Sequence, residues 1–253
     1  MTNLKGVSQD DTFSKPPLGA RARILMLHGH GQSGEFFRYK TRFLSKPIEE
    51  TLSQIPFDEL TGLAPAGVEL VYLNGPLAAD CNPDGHRRQW GCGDFDNGEI
   101  RGLDRSIQLV LEEIEKNGPF IGVIGFSTGA ALAVIIASLL EEPRCRQGTQ
   151  LSNVQGPFKF VVGFSGFMLG HPSYQFLYDP PLQTPILHFI GQLDTMVPEC
   201  STFKLVERCV NPSIKRFYGT HHIPRGSGDI QSIIEFISRV LKGPRHSGPN
   251  ALR

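Results

Sequence analysis

Val123-Ile124-Gly125-Phe126-Ser127-Thr128-Gly129-Ala130-Ala131 decides the fold. An apolar run, residues 120–126, ends in Gly-Phe-Ser-Thr-Gly and passes at once into a helix of small residues, 128–140. G-x-S-x-G between a strand and a helix is the context in which the pattern marks a nucleophile elbow. The elbow holds its serine on a strained turn at the top of a sheet. Gly125 and Gly129 let strand and helix approach closely and leave the hydroxyl exposed.

Outward from that stretch the same alternation repeats. Ile24-Leu25-Met26-Leu27 reads as a short buried strand, stopped by His28-Gly29-His30-Gly31. Ser33 is placed to cap a helix that carries Phe36, Phe37, Phe43 and Leu44 and ends near Ser53. Residues 68–73 form a second strand, closed by Asn74-Gly75-Pro76. Leu103, Ile107, Val110, Leu111 and Ile114 recur at helical spacing until Asn117-Gly118-Pro119. Further strands are expected at 158–164, 185–190 and 214–218, and helices at about 200–209 and 228–241. Apolar strands separated by helices predict an α/β fold: a mostly parallel central sheet with helices on both faces, a three-layer sandwich. Residues 21–242 are expected to form one such domain, between flexible segments at 1–20 and 243–253. Residues 77–101 differ. They are rich in Gly, Pro, Asp and Asn, hold the one tryptophan, Trp90, and read as a lid-like excursion or binding loop.

In such sheets ligands bind at the carboxyl ends of the strands. His28-Gly29-His30-Gly31, Ser127, Asp194 and His221 all fall at such ends. A serine hydroxyl needs a base to take its proton, and the base needs an acid to orient it. After an elbow the order is Ser, then Asp or Glu, then His. The best-placed acid is Asp194, in the turn that follows an apolar strand. Its rival, Asp179, precedes that strand in a Pro-rich loop. The base lies in Tyr218-Gly219-Thr220-His221-His222-Ile223-Pro224, where the residues alone do not choose between His221 and His222. A histidine base predicts activity that rises with pH near the imidazole reference value of about 6.5. His188, in mid-strand, reads as a packed side chain.

Charge on the reacting carbonyl oxygen needs backbone donors. The N–H of Thr128, at a helix N-terminus, is one. The N–H of His30 is favoured as the other, because Gly29 and Gly31 permit close approach. Gly29, Gly31 and Gly34 do not make a dinucleotide site, since no Asp or Glu ends the second strand, and no P-loop lysine is present. Phe36, Trp90, Phe167 and Met168, with Phe37 and Phe95, are candidates to line an apolar substrate pocket.

Composition narrows the partners. Lys+Arg and Asp+Glu are both 25, so a formal net charge of zero favours neither nucleic acid nor an anionic membrane. At 253 residues a single domain buries roughly 70–75% of its unfolded surface without cross-links. Five cysteines, with no C-x-x-C, argue against a disulfide scaffold. No closely spaced Cys/His set suggests zinc, and no metal or other cofactor is expected. No run approaches the roughly 20 apolar residues of a membrane span, and the N-terminus has no secretory-type apolar core. A cytoplasmic location is expected.

Four stretches in order carry a resemblance. They are Leu27-His28-Gly29-His30-Gly31-Gln32-Ser33-Gly34, Gly125-Phe126-Ser127-Thr128-Gly129-Ala130, Gly191-x-x-Asp194-x-x-Val197 and Gly219-Thr220-His221-His222-Ile223-Pro224. Together, from about residue 22 to about 241, they resemble the FSH family of serine hydrolases, of α/β-hydrolase fold. That family includes yeast esterases and fungal thioesterases that release polyketides from their synthases. Its usual Gly-Gly-His-x-Val-Pro, laid on Gly219 to Pro224, implies His221 as the base, with Ser127 as nucleophile and Asp194 as acid. Two positions depart from the family pattern. Thr128 stands where Gln is frequent, and Thr220 where Gly precedes the base. The first keeps the backbone donor and so bears on substrate more than on mechanism.

The resemblance implies a serine carboxylesterase or thioesterase of secondary metabolism. Its partner would be a small-molecule acyl ester or thioester, free or presented by a carrier protein. The same residues would serve an acyltransferase or cyclase. A ligand-binding protein on a hydrolase frame is the alternative without chemistry.

Overall fold

The computed structural model describes residues 21–55, 67–79, 86–141 and 155–242. Among these residues the strands are β1 (Ala22–Leu27), β2 (Val68–Leu73), β3 (Leu77–Ala78), β4 (Arg88–Gln89), β5 (Phe120–Phe126), β6 (Phe160–Phe164), β7 (Ile186–Gly191) and β8 (Pro212–Phe217). Among the described residues the α-helices are α1 (Gly34–Thr41), α2 (Ser45–Ser53), α3 (Leu103–Asn117), α4 (Thr128–Glu141), α5 (Glu199–Val206) and α6 (Ser227–Lys242). Six strands form one all-parallel sheet in the order β2-β1-β5-β6-β7-β8. Every residue of β5 is buried, because helices cover both sides of a strand in mid-sheet.

The two-residue side-chain alternation of the strands splits the apolar residues between two cores. Leu25, Leu27, Val123 and Val161 meet α3 and α4 on one side. Ile24, Met26, Ile124 and Val162 meet α1, α2 and α6 on the other. The result is the expected three-layer α/β sandwich. Helix α4 is buried along almost its whole length, which explains its small and apolar sequence. The expected flexible segments 1–20 and 243–253 lie outside the described residues, as do residues 80–85 of the excursion.

Two local expectations need correction. The helix begun at Ser33 is capped as expected, the Ser33 side chain accepting from Phe36 N–H at 3.1 Å. It does not run unbroken to Ser53. It stops at Thr41, tightens into a 3-10 turn (Arg42–Leu44) and restarts as α2. Pro47 gives the reason: its ring clashes with the carbonyl four residues earlier, so a continuous helix through 43–47 is excluded. The last strand also starts two residues early, at Pro212, which an edge strand tolerates at its first position.

The excursion between β2 and α3 contains a small antiparallel pair, β3 with β4. Its described part is tied to the body at several points. Arg88 Nε donates to Gly75 O at 2.7 Å, Ser106 Oγ to Trp90 O at 2.6 Å, and Ile100 N–H to the Tyr174 hydroxyl at 2.7 Å. Gly170 N–H donates to Phe95 O at 3.0 Å. These bonds hold residues 90–100 beside the carboxyl ends of the central strands.

Candidate active site

Strand β5 delivers Ser127 directly into α4. Ser127 has φ of 54°, a left-handed conformation that non-glycine residues rarely adopt. The close approach around it is enforced by two glycines. A Cβ on Gly125 would lie 2.4 Å from Gly129 O, and one on Gly129 would lie 2.3 Å from both Leu27 O and His28 O. No larger residue fits between the ends of β1 and β5 and the start of α4.

Two loops bring the partners over. Gln192 N–H donates to Phe217 O at 3.0 Å and Leu193 N–H to Gly219 O at 2.9 Å, so the turn after β7 is stitched to the turn after β8. His221 Nε2 then lies 3.0 Å from Ser127 Oγ, and His221 Nδ1 lies 2.7 Å from Asp194 Oδ2. A carboxylate only accepts, so Nδ1 carries the imidazole proton and Nε2 is left to accept from the serine hydroxyl. The His221 ring packs on Phe126, with centroids 4.8 Å apart. The Asp194 side chain is 1% exposed, against 22% for His221. Burial alone pushes the Asp194 carboxyl up. The Val197 amide, the His221 ring and the Ser165 hydroxyl outweigh it, and the net shift is below the ordinary carboxylate range.

Ser127, Asp194 and His221 are therefore together. His222 is exposed and sets its ring edge-on to Phe217. Asp179 is exposed ahead of β7, at the opposite end of that strand from Asp194. His188 is buried within β7. Thr128 is the first residue of α4, so its N–H has no intrahelical acceptor. His30 and Thr128 both line the cavity above Ser127.

That cavity has a volume of about 530 Å³ and is lined on its apolar side by Phe95, Phe126, Phe167, Met196, Val197 and Pro198. Gln32, Lys40, Asp94, Asp96 and Ser201 give its polar side. Of the pocket candidates, Phe167 takes its place here, in edge-to-face contact with Phe95 at 5.6 Å. Phe36, Trp90 and Met168 do not. Helix α1 buries Phe37 instead, which turns Phe36 outward at 47% exposed, beneath the Lys40 ammonium. Trp90 is 2% exposed because its indole N–H donates to His28 O at 2.7 Å and its ring packs on the His28 imidazole. It supports the loop after β1 from below. Met168 faces a separate, polar cavity with Gln175, Lys204 and Arg208.

Sequence reading missed Ser165, whose hydroxyl donates to Asp194 Oδ2 at 2.8 Å. It named His28 in the loop after the first strand but not its role there: His28 accepts from Gly75 N–H at 3.0 Å and bonds Gly29 O through Nδ1 at 2.8 Å. Among the described residues no three His, Cys, Asp or Glu side chains come together as a metal site would need.

A six-stranded parallel sheet with a serine on a tight strand-to-helix turn is the α/β-hydrolase fold. The chain superposes on esterase PE8 with a TM-score of 0.57 at 17% identity, covering 87% of this chain and 92% of that one. The serine hydrolase (FSH1) family model matches residues 18–233, and the chain belongs to that family. It is 30% identical over 221 residues to a protein of Schizosaccharomyces pombe (strain 972 / ATCC 24843) named dihydrofolate reductase, covering 80% of this chain and 44% of that one. It is 27% identical over 223 residues to Family of serine hydrolases 2 of Saccharomyces cerevisiae (strain ATCC 204508 / S288c), covering 86% and 98%. The chain spans about half the length of the first two curated relatives it matches.

Proposed function

We propose that this protein hydrolyses an acyl ester or thioester through a covalent acyl-enzyme on Ser127. The observation that carries the reading is the continuous relay from Ser127 Oγ to His221 Nε2 (3.0 Å) and from His221 Nδ1 to Asp194 Oδ2 (2.7 Å), opening on a cavity. Ser127 Oγ attacks the carbonyl carbon as His221 Nε2 takes its proton. Asp194, ionised and nearly buried, stabilises the imidazolium and holds its orientation. The N–H groups of Thr128 and His30 receive the negative charge that builds on the carbonyl oxygen. His221 returns the proton to the departing alcohol or thiol. It then deprotonates water, which attacks the acyl carbon and releases a carboxylic acid and free Ser127.

The apolar wall of Phe95, Phe167 and Val197 suits the hydrocarbon or aromatic part of the acyl group. The sequence resemblance is to a family whose members include polyketide-releasing thioesterases, which extends the proposal to an acyl thioester of secondary metabolism, free or on a carrier protein. The proposal keeps a cytoplasmic location, since five cysteines with no C-x-x-C spacing argue against a disulfide scaffold.

A fluorophosphonate probe, which phosphonylates activated serines with loss of fluoride, tests the chemistry. The full chain is expected to label, and Ser127→Ala to lose both labelling and hydrolysis of p-nitrophenyl acyl esters with its circular dichroism unchanged. Labelling retained in Ser127→Ala overturns the assignment. Rates on matched acyl oxyesters and thioesters then decide the leaving group.

A further inference from the structure

We infer that Ser165 is a positioning residue of this site: its hydroxyl holds Asp194 and sets how strongly the carboxylate draws on His221. The inference rests on the hydrolase reading above for its kinetic consequence, but not for its geometry.

Ser165 follows β6 as Ser127 follows β5. Phe126 and Phe164 are partners in register, and each serine comes next. Ser127 N–H donates to Phe164 O at 2.8 Å, and Ser165 N–H donates to Phe189 O at 2.9 Å. Among the described residues these two serines are the non-glycine residues with positive φ, 54° and 49°. Glycine occupies that region without strain, and serine does not. What serine adds at position 165 is a hydroxyl, and that hydroxyl is committed: Ser165 is 1% exposed and its Oγ lies 2.8 Å from Asp194 Oδ2.

The carboxylate is thereby held by four donors. Oδ1 accepts from Met196 N–H at 3.0 Å and Val197 N–H at 2.9 Å. Oδ2 accepts from Ser165 and from His221. The two amides fix one oxygen, and Ser165 shares the other with the imidazole. A donor on Oδ2 draws charge from the oxygen that faces His221 and so limits its pull on the imidazolium. Without the hydroxyl, Oδ2 faces His221 alone, the protonated imidazole is favoured, and the carboxylate is less firmly aimed. The other titratable groups lining the same cavity are His30, Lys40, Asp94 and Asp96. They stay the same in every Ser165 variant, so a difference between variants reports on Ser165.

The test compares Ser165→Ala, Ser165→Gly and Ser165→Cys in the full chain, using p-nitrophenyl acyl ester kinetics across pH and an NMR titration of the His221 imidazole. Ala and Gly are expected to lower kcat about tenfold, with KM within about twofold. They should also move the acid limb of kcat/KM and the His221 titration to higher pH than in wild type. Cys, a weaker donor, falls between them and wild type. Glycine is the discriminating variant, because it fits the backbone and lacks the hydroxyl. A Ser165→Gly protein with wild-type kcat and an unmoved His221 titration overturns the inference. Wild-type protein that neither labels nor hydrolyses any acyl ester instead overturns the hydrolase reading, and the NMR titration still decides the role of Ser165.

Discussion

Acidification from pH 7.5 to 5 strains this core through two buried imidazoles. His188, in mid-strand of β7, is 1% exposed, and burial pushes its pKa from 6.5 down to about 4. His28, at the end of β1, is fully buried. Burial again dominates and brings it to about 4, against the opposing hydrogen bond to Gly29 O. Both are neutral in the folded chain at pH 7. In the unfolded chain both take up a proton near pH 6.5. Between pH 6.5 and 4 the unfolded state therefore binds more protons, so this stability is complete above pH 6.5 and is lost as the pH falls toward 4. A fall from 6.5 to about 4 amounts to about 3 kcal/mol per histidine over the whole window. Near pH 5 the slope is about 1.2 kcal/mol per pH unit for each. Against a net stability of order 5–15 kcal/mol, the pair is a large part of the fold's sensitivity to acid.

Urea unfolding followed by circular dichroism at pH 7.5, 6.5, 5.5 and 5, for wild type and His188→Leu, reads this directly. Leucine binds no proton, so the part of the slope due to the two histidines halves. The change in packing shifts the stability at pH 7.5 but does not enter the slope. A His188→Leu protein that loses stability as steeply as wild type between pH 6.5 and 5 refutes the reasoning.

Gly129→Ala puts a methyl 2.3 Å from two backbone oxygens, Leu27 O and His28 O, neither of which can move without shifting β1. A loss of about 3 kcal/mol or more in chemical denaturation is expected, and an unchanged midpoint would deny the close approach at the elbow. Phe167→Ala removes one wall of the cavity and half of the edge-to-face pair with Phe95. Across a series of p-nitrophenyl acyl esters the preferred chain should lengthen, with rates on the shortest ester falling no more than about fivefold. The same length profile in both proteins would show that the acyl group does not rest there.

Much of the architecture was legible in the chain because its causes are local. The apolar run 120–126, the cap at Ser33 and the stop at Asn117-Gly118 each act within a few residues, and each element forms where its residues require. G-x-S-x-G announced the elbow because a tight turn needs small neighbours wherever it occurs. Side-chain destinations were less legible. Phe36 and Phe37 are adjacent and chemically alike, yet one faces solvent and the other the core, a matter of 100° around α1. Trp90 looked like a pocket wall until His28 O claimed its indole N–H. His221 and His222 were separated in the sequence only by resemblance; in the molecule, one meets Asp194 and the other the edge of Phe217. Nothing in Phe164-Ser165-Gly166 tells that its hydroxyl meets a carboxylate 29 residues further along. The sequence determined where strands and helices lie and which residue types could do chemistry. Tertiary structure alone decided which of them meet, because the ends of β5, β6, β7 and β8 become neighbours only when the sheet forms.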